Sequence, residues 1–340
     1  MHYLITGHTG FKGAWMTFML SKLGHEISGI SLNPIPESLF ADSSVSSLLN
    51  HDIRSDIRDK EEVFRAFERI KPDIVIHMAA QPLVLESYRN PIDTFEINVN
   101  GTLNVLEATR RVKSVQAQVI VTTDKVYKNK NQRRGYVETD ELGGEDPYSA
   151  SKAMADILAQ SWIKSFDGPP TAIARAGNVI GGGDVSKDRL IPDLLKSYKS
   201  GKSAVLRNPN AVRPWQHVLD CIYGYFKLSE YLLQGGDDTQ WNFGPKANEF
   251  LEVYRVAEIV GHEWGITTPW IPDSKTNPAE ANLLALDSEK ARRVLNWHDM
   301  YNFEQSVLRT SDWYKKVERG MSKENATIEN VQNFLSNYYP

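Results

Sequence analysis

The sequence predicts an α/β fold: a doubly wound parallel sheet with a smaller mixed lobe. Three observations predict it. Strand-like and helix-like segments alternate through the first half of the chain. The segment from Ala117 to Thr122 is almost continuously apolar, the pattern of a strand buried on both faces. Between the first strand and the first helix stands Gly7-His8-Thr9-Gly10-Phe11-Lys12-Gly13, with a glycine at every third position.

Each element follows from local pattern. Tyr3 to Thr6 reads as a short strand, and Phe11 to Leu23 has the apolar spacing of a helix. His25 to Leu32 is a second strand. Lys60 to Ile70 is a helix that leads into a third strand, Asp73 to Met78. Asn98 to Arg111 is helical, and the buried strand Ala117 to Thr122 follows it. The helix Tyr148 to Phe166 and the strand Thr171 to Arg175 complete the alternation. Repeated strand–helix–strand order requires crossovers, and crossovers give a parallel sheet covered by helices on both faces.

The pattern loosens after Gly177. Gly181-Gly182-Gly183 is a turn, Arg189 to Ser200 a helix, and Arg207 to Pro214 is loop-like. Val218 to Leu233 is a long helix expected to return to the main domain, and Leu251 to Trp264 is another helix. Pro269 to about Trp297 reads as a small mixed lobe rich in Pro and Trp, suited to capping a substrate. Met321 to Pro340 is polar, with weak helical spacing at Ile328, Val331, Phe334 and Leu335, and is expected to be a peripheral extension. The expected division is residues 1–177 with about 215–245 as the sheet domain, 178–214 with about 246–320 as the lobe, and 321–340 as the extension.

Composition bounds the function. At 340 residues the chain can bury a sizeable core. A net charge of −4 gives no general attraction to nucleic acid or anionic lipid, and no apolar run is long enough to span a membrane. A strand beginning at Tyr3 leaves no room for a signal or transit peptide, so a cytoplasmic location is expected. The single cysteine, Cys221, excludes an internal disulfide and reads as a core thiol. No His pair has metal spacing and no metal is expected, so His77 reads as a hydrogen-bonded structural residue. The one basic run, Lys125, Lys128, Lys130, Arg133 and Arg134, is a solvated loop or an aid to an anionic substrate.

The glycine-rich turn carries the first functional signal. Gly7 permits the tight turn, Gly10 admits close approach of a pyrophosphate, and Gly13 lets the helix pack against the strand. The helix N-terminus adds N–H donors and positive potential. In this position the turn, with Thr9, Phe11 and Lys12, reads as a Rossmann-like dinucleotide site. Asp56 and Ile57 are candidate adenine contacts. The end of the second strand carries Ser31-Leu32-Asn33, with neither an acid for a ribose 2′-hydroxyl nor an Arg for a 2′-phosphate. The local sequence therefore leaves NAD and NADP both open.

Tyr148 and Lys152 carry the second signal. Residues four apart share a helix face, so an ammonium sits beside a phenol, lowers its pKa and makes a proton shuttle next to a hydride acceptor. Upstream, Thr123-Asp124-Lys125 falls just past a buried strand, where α/β sheets place their ligands.

Together these motifs resemble the extended short-chain dehydrogenase/reductase family of nucleotide-sugar enzymes, and within it the CDP-glucose 4,6-dehydratases. The resemblance covers about residues 2 to 318. It is carried by His8 to Gly13, His77 to Val84, Thr123-Asp124-Lys125, Asp146-Pro147-Tyr148-Ser149, Arg175 to Asp184, and Arg213 to Val218. It implies bound NAD, CDP-glucose as substrate, a dimeric core with a four-helix interface, and a role in bacterial deoxysugar synthesis. It also extends the cofactor site to Ala79, Ala80 and Gln81, with Gln81 reaching the substrate as well. The chain departs from the family at Asn277 to Asn282, where relatives often carry His, and at Thr123, where Ser is common.

The implied reaction is internally redox-neutral. Tyr148 takes the C4 hydroxyl proton, Lys152 supports it and holds the nicotinamide ribose, and Thr123 shares the bond to the C4 oxygen. Asp124 is the candidate acid for the departing C6 hydroxyl. Lys125 is either the base at C5 or an electrostatic stabiliser of the enolate. Arg213, with Asn178 and Arg189, is the candidate diphosphate site, and Arg207 and Asn208 join the same pocket. Trp215 is a candidate nucleotide contact. A 4-epimerase or decarboxylase on the same scaffold is the nearest rival, and it needs no second acid–base pair; a dehydratase acting on another nucleotide-hexose is the other alternative. A non-catalytic dinucleotide sensor is the rival from another class, and such proteins usually lose the Tyr-Lys pair.

Overall fold

The computed structural model describes residues 1–132, 134–246, 249–274 and 283–338. Seven parallel strands form the central sheet. In chain order they are β1 (His2–Thr6), β2 (Glu26–Ser31), β3 (His51–Arg54), β4 (Ile74–His77), β5 (Ala117–Val121), β6 (Thr171–Ala176) and β11 (Gln240–Phe243). The short strands between β6 and β11 are β7 (Val179–Ile180), β8 (Ala204–Leu206), β9 (Val212–Pro214) and β10 (Gln216–His217); β12 (Phe250–Glu252) and β13 (Trp270–Pro272) follow. The helices are α1 (Phe11–Lys22), α2 (Lys60–Ile70), α3 (Val84–Arg89), α4 (Pro91–Phe95), α5 (Gly101–Arg111), α6 (Pro147–Ser165), α7 (Leu190–Lys199), α8 (Val218–Leu233), α9 (Val253–Glu263), α10 (Glu289–Leu295), α11 (Phe303–Glu318) and α12 (Lys323–Tyr338).

The sheet order is β3-β2-β1-β4-β5-β6-β11, so the winding direction reverses between β1 and β4. That switch point opens a crevice at the carboxyl ends of the strands. The central strands β4, β5 and β6 are buried along their whole length, as their largely apolar sequences require. Helices α1 and α8 pack on one face with Trp15, Phe18, Tyr225 and Trp241, and α2 and α5 cover part of the other around Phe67 and Val105.

Two strands of the sheet were not visible in the sequence. β3 is an edge strand whose exposure alternates, and β11 lies far along the chain. Arg207 to Pro214, expected as loop, contains β9, which pairs antiparallel with β12. The segment Glu96–Asn100, ahead of α5, is a π-turn rather than regular helix.

The largest correction concerns the C-terminal segment. Residues 323–338 are not peripheral: they form α12, with Ala326, Val331 and Phe334 wholly buried in the same core as α1 and α8. Polar composition hid this because three buried apolar side chains suffice when the partner surface is already apolar.

The lobe has its own core of Leu194, Tyr198, Leu206, Trp215, Val256 and Val260. Trp215 belongs to that core and donates its indole N–H to the Leu251 carbonyl at 3.0 Å. A buried ion pair ties the sheet to the helix that carries the Tyr-Lys motif. Arg175 on β6 grips Asp156 on α6 through two bonds of 2.8 Å, and Thr122 donates to the same carboxylate at 3.0 Å. The bidentate contact fixes the height of α6 against the end of β5.

Candidate active site

The carboxyl ends of β1, β4, β5 and β6 open into a cavity of about 790 Å³ between the sheet and the lobe. On the β1 side it begins at the glycine-rich turn. Gly7 has φ +80°, and a Cβ there would lie 2.8 Å from the Ala79 backbone nitrogen. A Cβ on Gly13 would lie 2.2 Å from the Gly7 carbonyl oxygen, so only glycine lets α1 start this close to β1. Gly10 is the N-cap of α1 and offers no side-chain cap, which leaves the first-turn N–H groups available to an anion. These features fit a dinucleotide pyrophosphate.

Thr9, Gly10, Phe11, Lys12, Asp56, Ile57, Ala79 and Ala80 line the same cavity as Gly7 and Gly13. Gln81 does not. Its amide donates to the Leu83 carbonyl at 3.1 Å and to Thr94 at 2.9 Å, and its oxygen accepts from the Leu83 N–H at 2.6 Å. The residue braces the loop after β4, which corrects its expected place in the cofactor and substrate site. Lys12 lines the cavity but sends its ammonium to the Tyr225 hydroxyl at 3.1 Å. Asp56 is held by Arg58 at 2.8 Å, which keeps its carboxyl below the ordinary range.

Beyond the end of β5, Thr123, Asp124 and Lys125 reach the cavity wall beside Tyr148 and Lys152. Thr123 caps the short turn 124–126, accepting from the Lys125 N–H at 3.4 Å. Asp146 caps α6, accepting from the Ser149 N–H at 2.9 Å, with Pro147 at the first helical position. That cap sets where α6 begins and so where Tyr148 and Lys152 stand. Lys152 is buried and donates to the Val121 carbonyl at 2.9 Å. Burial, and next the Lys12 ammonium, bring its pKa down to about 8.

Tyr148 differs from expectation. Burial pushes its phenol above the ordinary value, while Arg189 and hydrogen bonding with Thr123 act in the opposite direction. A neighbouring ammonium alone would lower the phenol's pKa, but the cost of removing a phenolate from water outweighs it here.

Asn178, Arg189, Arg207, Asn208 and Arg213 come from the lobe side to the same cavity. Arg189 donates to the Pro82 carbonyl at 3.1 Å, Arg207 to the Asp188 carbonyl at 3.1 Å, and Arg213 to its neighbour Val212 at 2.9 Å. The structure thus gathers every expected catalytic residue, and every expected cofactor and substrate residue except Gln81, around one volume. It adds Ser38 and Asp193, which no motif marked. Burial, with Asp188 next, raises the Asp193 carboxyl. Of the basic run, Lys128 and Lys130 pair with Glu141 and Arg134 pairs with Asp140, while Arg133 lies outside the described residues. So does the segment Asn277 to Asn282.

His77 is buried between Thr6 at 2.7 Å and Thr102 at 3.0 Å, a structural role as expected. Cys221 is a buried thiol against the Tyr225 hydroxyl at 3.0 Å. Among the described residues no helix is long and apolar enough to cross a membrane.

The reversed sheet, the glycine cradle and the Tyr148–Lys152 pair beside it make this an extended short-chain dehydrogenase/reductase. Comparison with known proteins narrows the class. The chain belongs to the GDP-mannose 4,6 dehydratase family, whose model matches residues 4–310. It is 38% identical over 98% of its length, and 95% of the relative's, to the CDP-glucose 4,6-dehydratase of Salmonella typhimurium strain LT2. It is 27% identical, over 92% of its own length and 93% of the relative's, to a probable dTDP-glucose 4,6-dehydratase of Sinorhizobium fredii. Among solved structures, the dTDP-glucose 4,6-dehydratase of Bacillus anthracis in complex with NAD superposes with a TM-score of 0.80 at 24% identity, covering 94% of this chain and 98% of that one. A UDP-glucose 4-epimerase of Thermotoga maritima gives 0.80 at 21% identity, covering 93% and 99%. These structures share the fold.

Proposed function

We propose that the protein is an NAD-dependent hydro-lyase that converts CDP-glucose into CDP-4-keto-6-deoxyglucose. The observation that carries the reading is the convergence of two proton-transfer sets on one cavity wall, Tyr148–Lys152 with Thr123 and Asp124–Lys125. An epimerase needs only the first set. The 38% identity to a named CDP-glucose 4,6-dehydratase supports the nucleotide.

NAD, when bound, supplies the hydride acceptor for C4 and the hydride donor for C6. The glycine turn and the α1 N-terminus would hold its pyrophosphate. Thr9, Ser31 and Asn33 line the cavity at its β2 end and would meet the adenosine side. Arg54, the register partner of Ser31, is held by Asp52 at 2.7 Å and stacked on Phe40 at 5.1 Å, so its charge is already engaged. That supports NAD over its 2′-phosphate.

Tyr148 accepts the proton of the C4 hydroxyl, with Thr123 sharing the oxygen and the Lys152 ammonium stabilising the phenolate. The resulting ketone acidifies C5. Lys125 takes the proton from C5 or, as an ammonium, stabilises the enolate that its loss leaves, and Asp124 gives its proton to the C6 hydroxyl so that it departs as water. Arg213, Arg189 and Asn178 hold the diphosphate, with Arg207 and Asn208 beyond them.

The protein assembles as a homodimer in the cytoplasm. Support for the dimer comes from exposed apolar side chains on adjoining helices: Ile92 on α4 at 73% exposure, with Met154 and Ile157 on α6 at 49% and 53%.

Incubation with CDP-glucose and NAD is expected to give the alkaline absorbance of a 4-keto-6-deoxy sugar. An epimerised hexose in its place would transfer the assignment to the rival reaction.

A further inference from the structure

The dinucleotide cavity has two banks at its β2 end, and α12 reaches both. One bank is the loop after β2, which lines the cavity with Asn33, Ile35 and Ser38. The other is the turn after β7, which lines it with Gly181 and Gly183. The banks meet where the Leu39 N–H donates to the Gly183 carbonyl at 3.4 Å.

The first bank is strained and is held from outside. Glu37 has φ 62°, a left-handed conformation that side chains other than glycine rarely adopt. Its carbonyl is capped by the Lys323 ammonium, which also pairs with Asp42 at 2.8 Å. The next residue of α12, Glu324, accepts from the Ser44 hydroxyl at 2.7 Å and from the Ser44 N–H at 3.0 Å. Two consecutive side chains in the first turn of α12 thus hold the loop from Glu37 to Ser44.

The second bank is held through Trp313. A Cβ on Gly182 would lie 2.0 Å from that indole, so the ring packs directly on the turn. Its N–H donates to Thr327, one turn into α12, at 3.0 Å. Trp15 reaches the same turn from α1, donating to the Gly182 carbonyl at 2.9 Å.

We propose that α12 is a strut for the dinucleotide site, with Lys323 and Glu324 acting as positioning residues that preorganise the wall against the adenosine half of the cofactor. The proposal rests on the cavity being a dinucleotide site. The segment lies beyond both the residues that the family model matches, 4–310, and the motifs that carry the family resemblance. The physical logic is preorganisation: a strained loop that is not held opens locally, and binding must then re-form it. Exposed ion pairs add little to global stability, so cutting these contacts should weaken binding without unfolding the protein.

The test uses the full-length chain and titrates NADH by fluorescence, with thermal melting alongside. The double variant Lys323→Met/Glu324→Gln is expected to bind NADH about fivefold more weakly, with a melting temperature within about 2 °C of the parent. Lys323→Arg, which keeps the cation, should restore most of the affinity. Lys316→Met cuts the ion pair of 2.7 Å between α11 and Glu329 of α12, away from the wall, and should leave NADH affinity unchanged. Parental NADH affinity in the double variant overturns the strut, as does an equal loss in Lys316→Met. A parent chain that binds no NADH overturns the reading of the cavity and the strut with it.

Discussion

The Thr123 hydroxyl donates to Oδ1 of Asp124 at 2.9 Å, and Oδ2 of the same carboxylate is buried with no hydrogen-bond partner among the described residues. Proteins seldom leave a buried carboxylate oxygen unsatisfied, because the desolvation cost is not recovered. Here the residue lines the cavity, so the open oxygen is placed to meet a substrate hydroxyl. Thr123 thereby has two roles. It fixes the rotamer of the acid, and it acts on the Tyr148 phenol.

Asp124→Asn keeps the shape and removes the transferable proton. The variant should still oxidise C4 but stall before water leaves, so reduced nicotinamide builds up while keto-deoxy product falls by roughly a hundredfold. Both are followed optically in one reaction. Unchanged product formation would remove Asp124 from the elimination step.

Tyr148→Phe deletes one oxygen from a residue whose backbone N–H is already anchored on Ser87 at 3.1 Å, so the helix start should survive. Turnover should drop by about three orders of magnitude, within the usual range for losing a positioned acid–base group. NAD affinity, measured by calorimetry, should stay within about twofold because the cradle is untouched. Full turnover would refute the assigned proton transfer.

The value of about 8 for Lys152 gives a pH prediction. The ammonium is needed to stabilise the phenolate, so kcat/KM should fall on the alkaline side as that proton is lost, near pH 8. Burial lowers the value most, Lys12 lowers it further, and Asp156 opposes both. Lys12→Met removes a positive neighbour, so the protonated form gains and the alkaline limb moves to higher pH. The pH profile of the variant checks this, and an unmoved limb would show that Lys12 does not act on Lys152.

What the sequence disclosed and what it withheld divide along physical lines. The glycine turn, the buried strand Ala117 to Thr122 and the Tyr148–Lys152 spacing were legible because each rests on local geometry. β3 was not, since His51 to Arg54 is a half-exposed edge with two charged positions, and β11 was not, since its partner β6 lies more than sixty residues away. Gln81 was misplaced because its motif gives the position of the backbone and says nothing of a side chain turned back on its own loop. The direction of the Tyr148 shift also failed, because burial is a property of the assembled site. The helical spacing at Ile328, Val331, Phe334 and Leu335 did mark α12, and only its packing was misjudged, because its apolar partners are supplied by α1 and α8.

Two buried histidines should contribute to the acid sensitivity of the fold, and one of them can be isolated by mutation. Burial drives His77 and His217 down to about 3 from the ordinary 6.5. A base whose folded pKa is depressed stays neutral in the fold and takes up a proton on unfolding. The stability it contributes is therefore complete above pH 6.5 and is lost as pH falls from there through about 3. Each group should remove up to about 1.4 kcal/mol per pH unit across that window. Nδ1 of His217 accepts from the Leu219 N–H at 3.3 Å and caps α8, and its ring meets Trp15 and Tyr301 edge-on at 6.0 and 5.2 Å. His217→Asn keeps a capping acceptor and removes the titrating ring. The variant should be less stable at pH 7 through lost packing, yet its unfolding free energy should fall less steeply between pH 6 and 4, by about one proton's worth of slope. Urea unfolding at several pH values measures both quantities separately. Parallel slopes in the two proteins would show that His217 does not set the acid response, whatever the variant's stability at neutral pH.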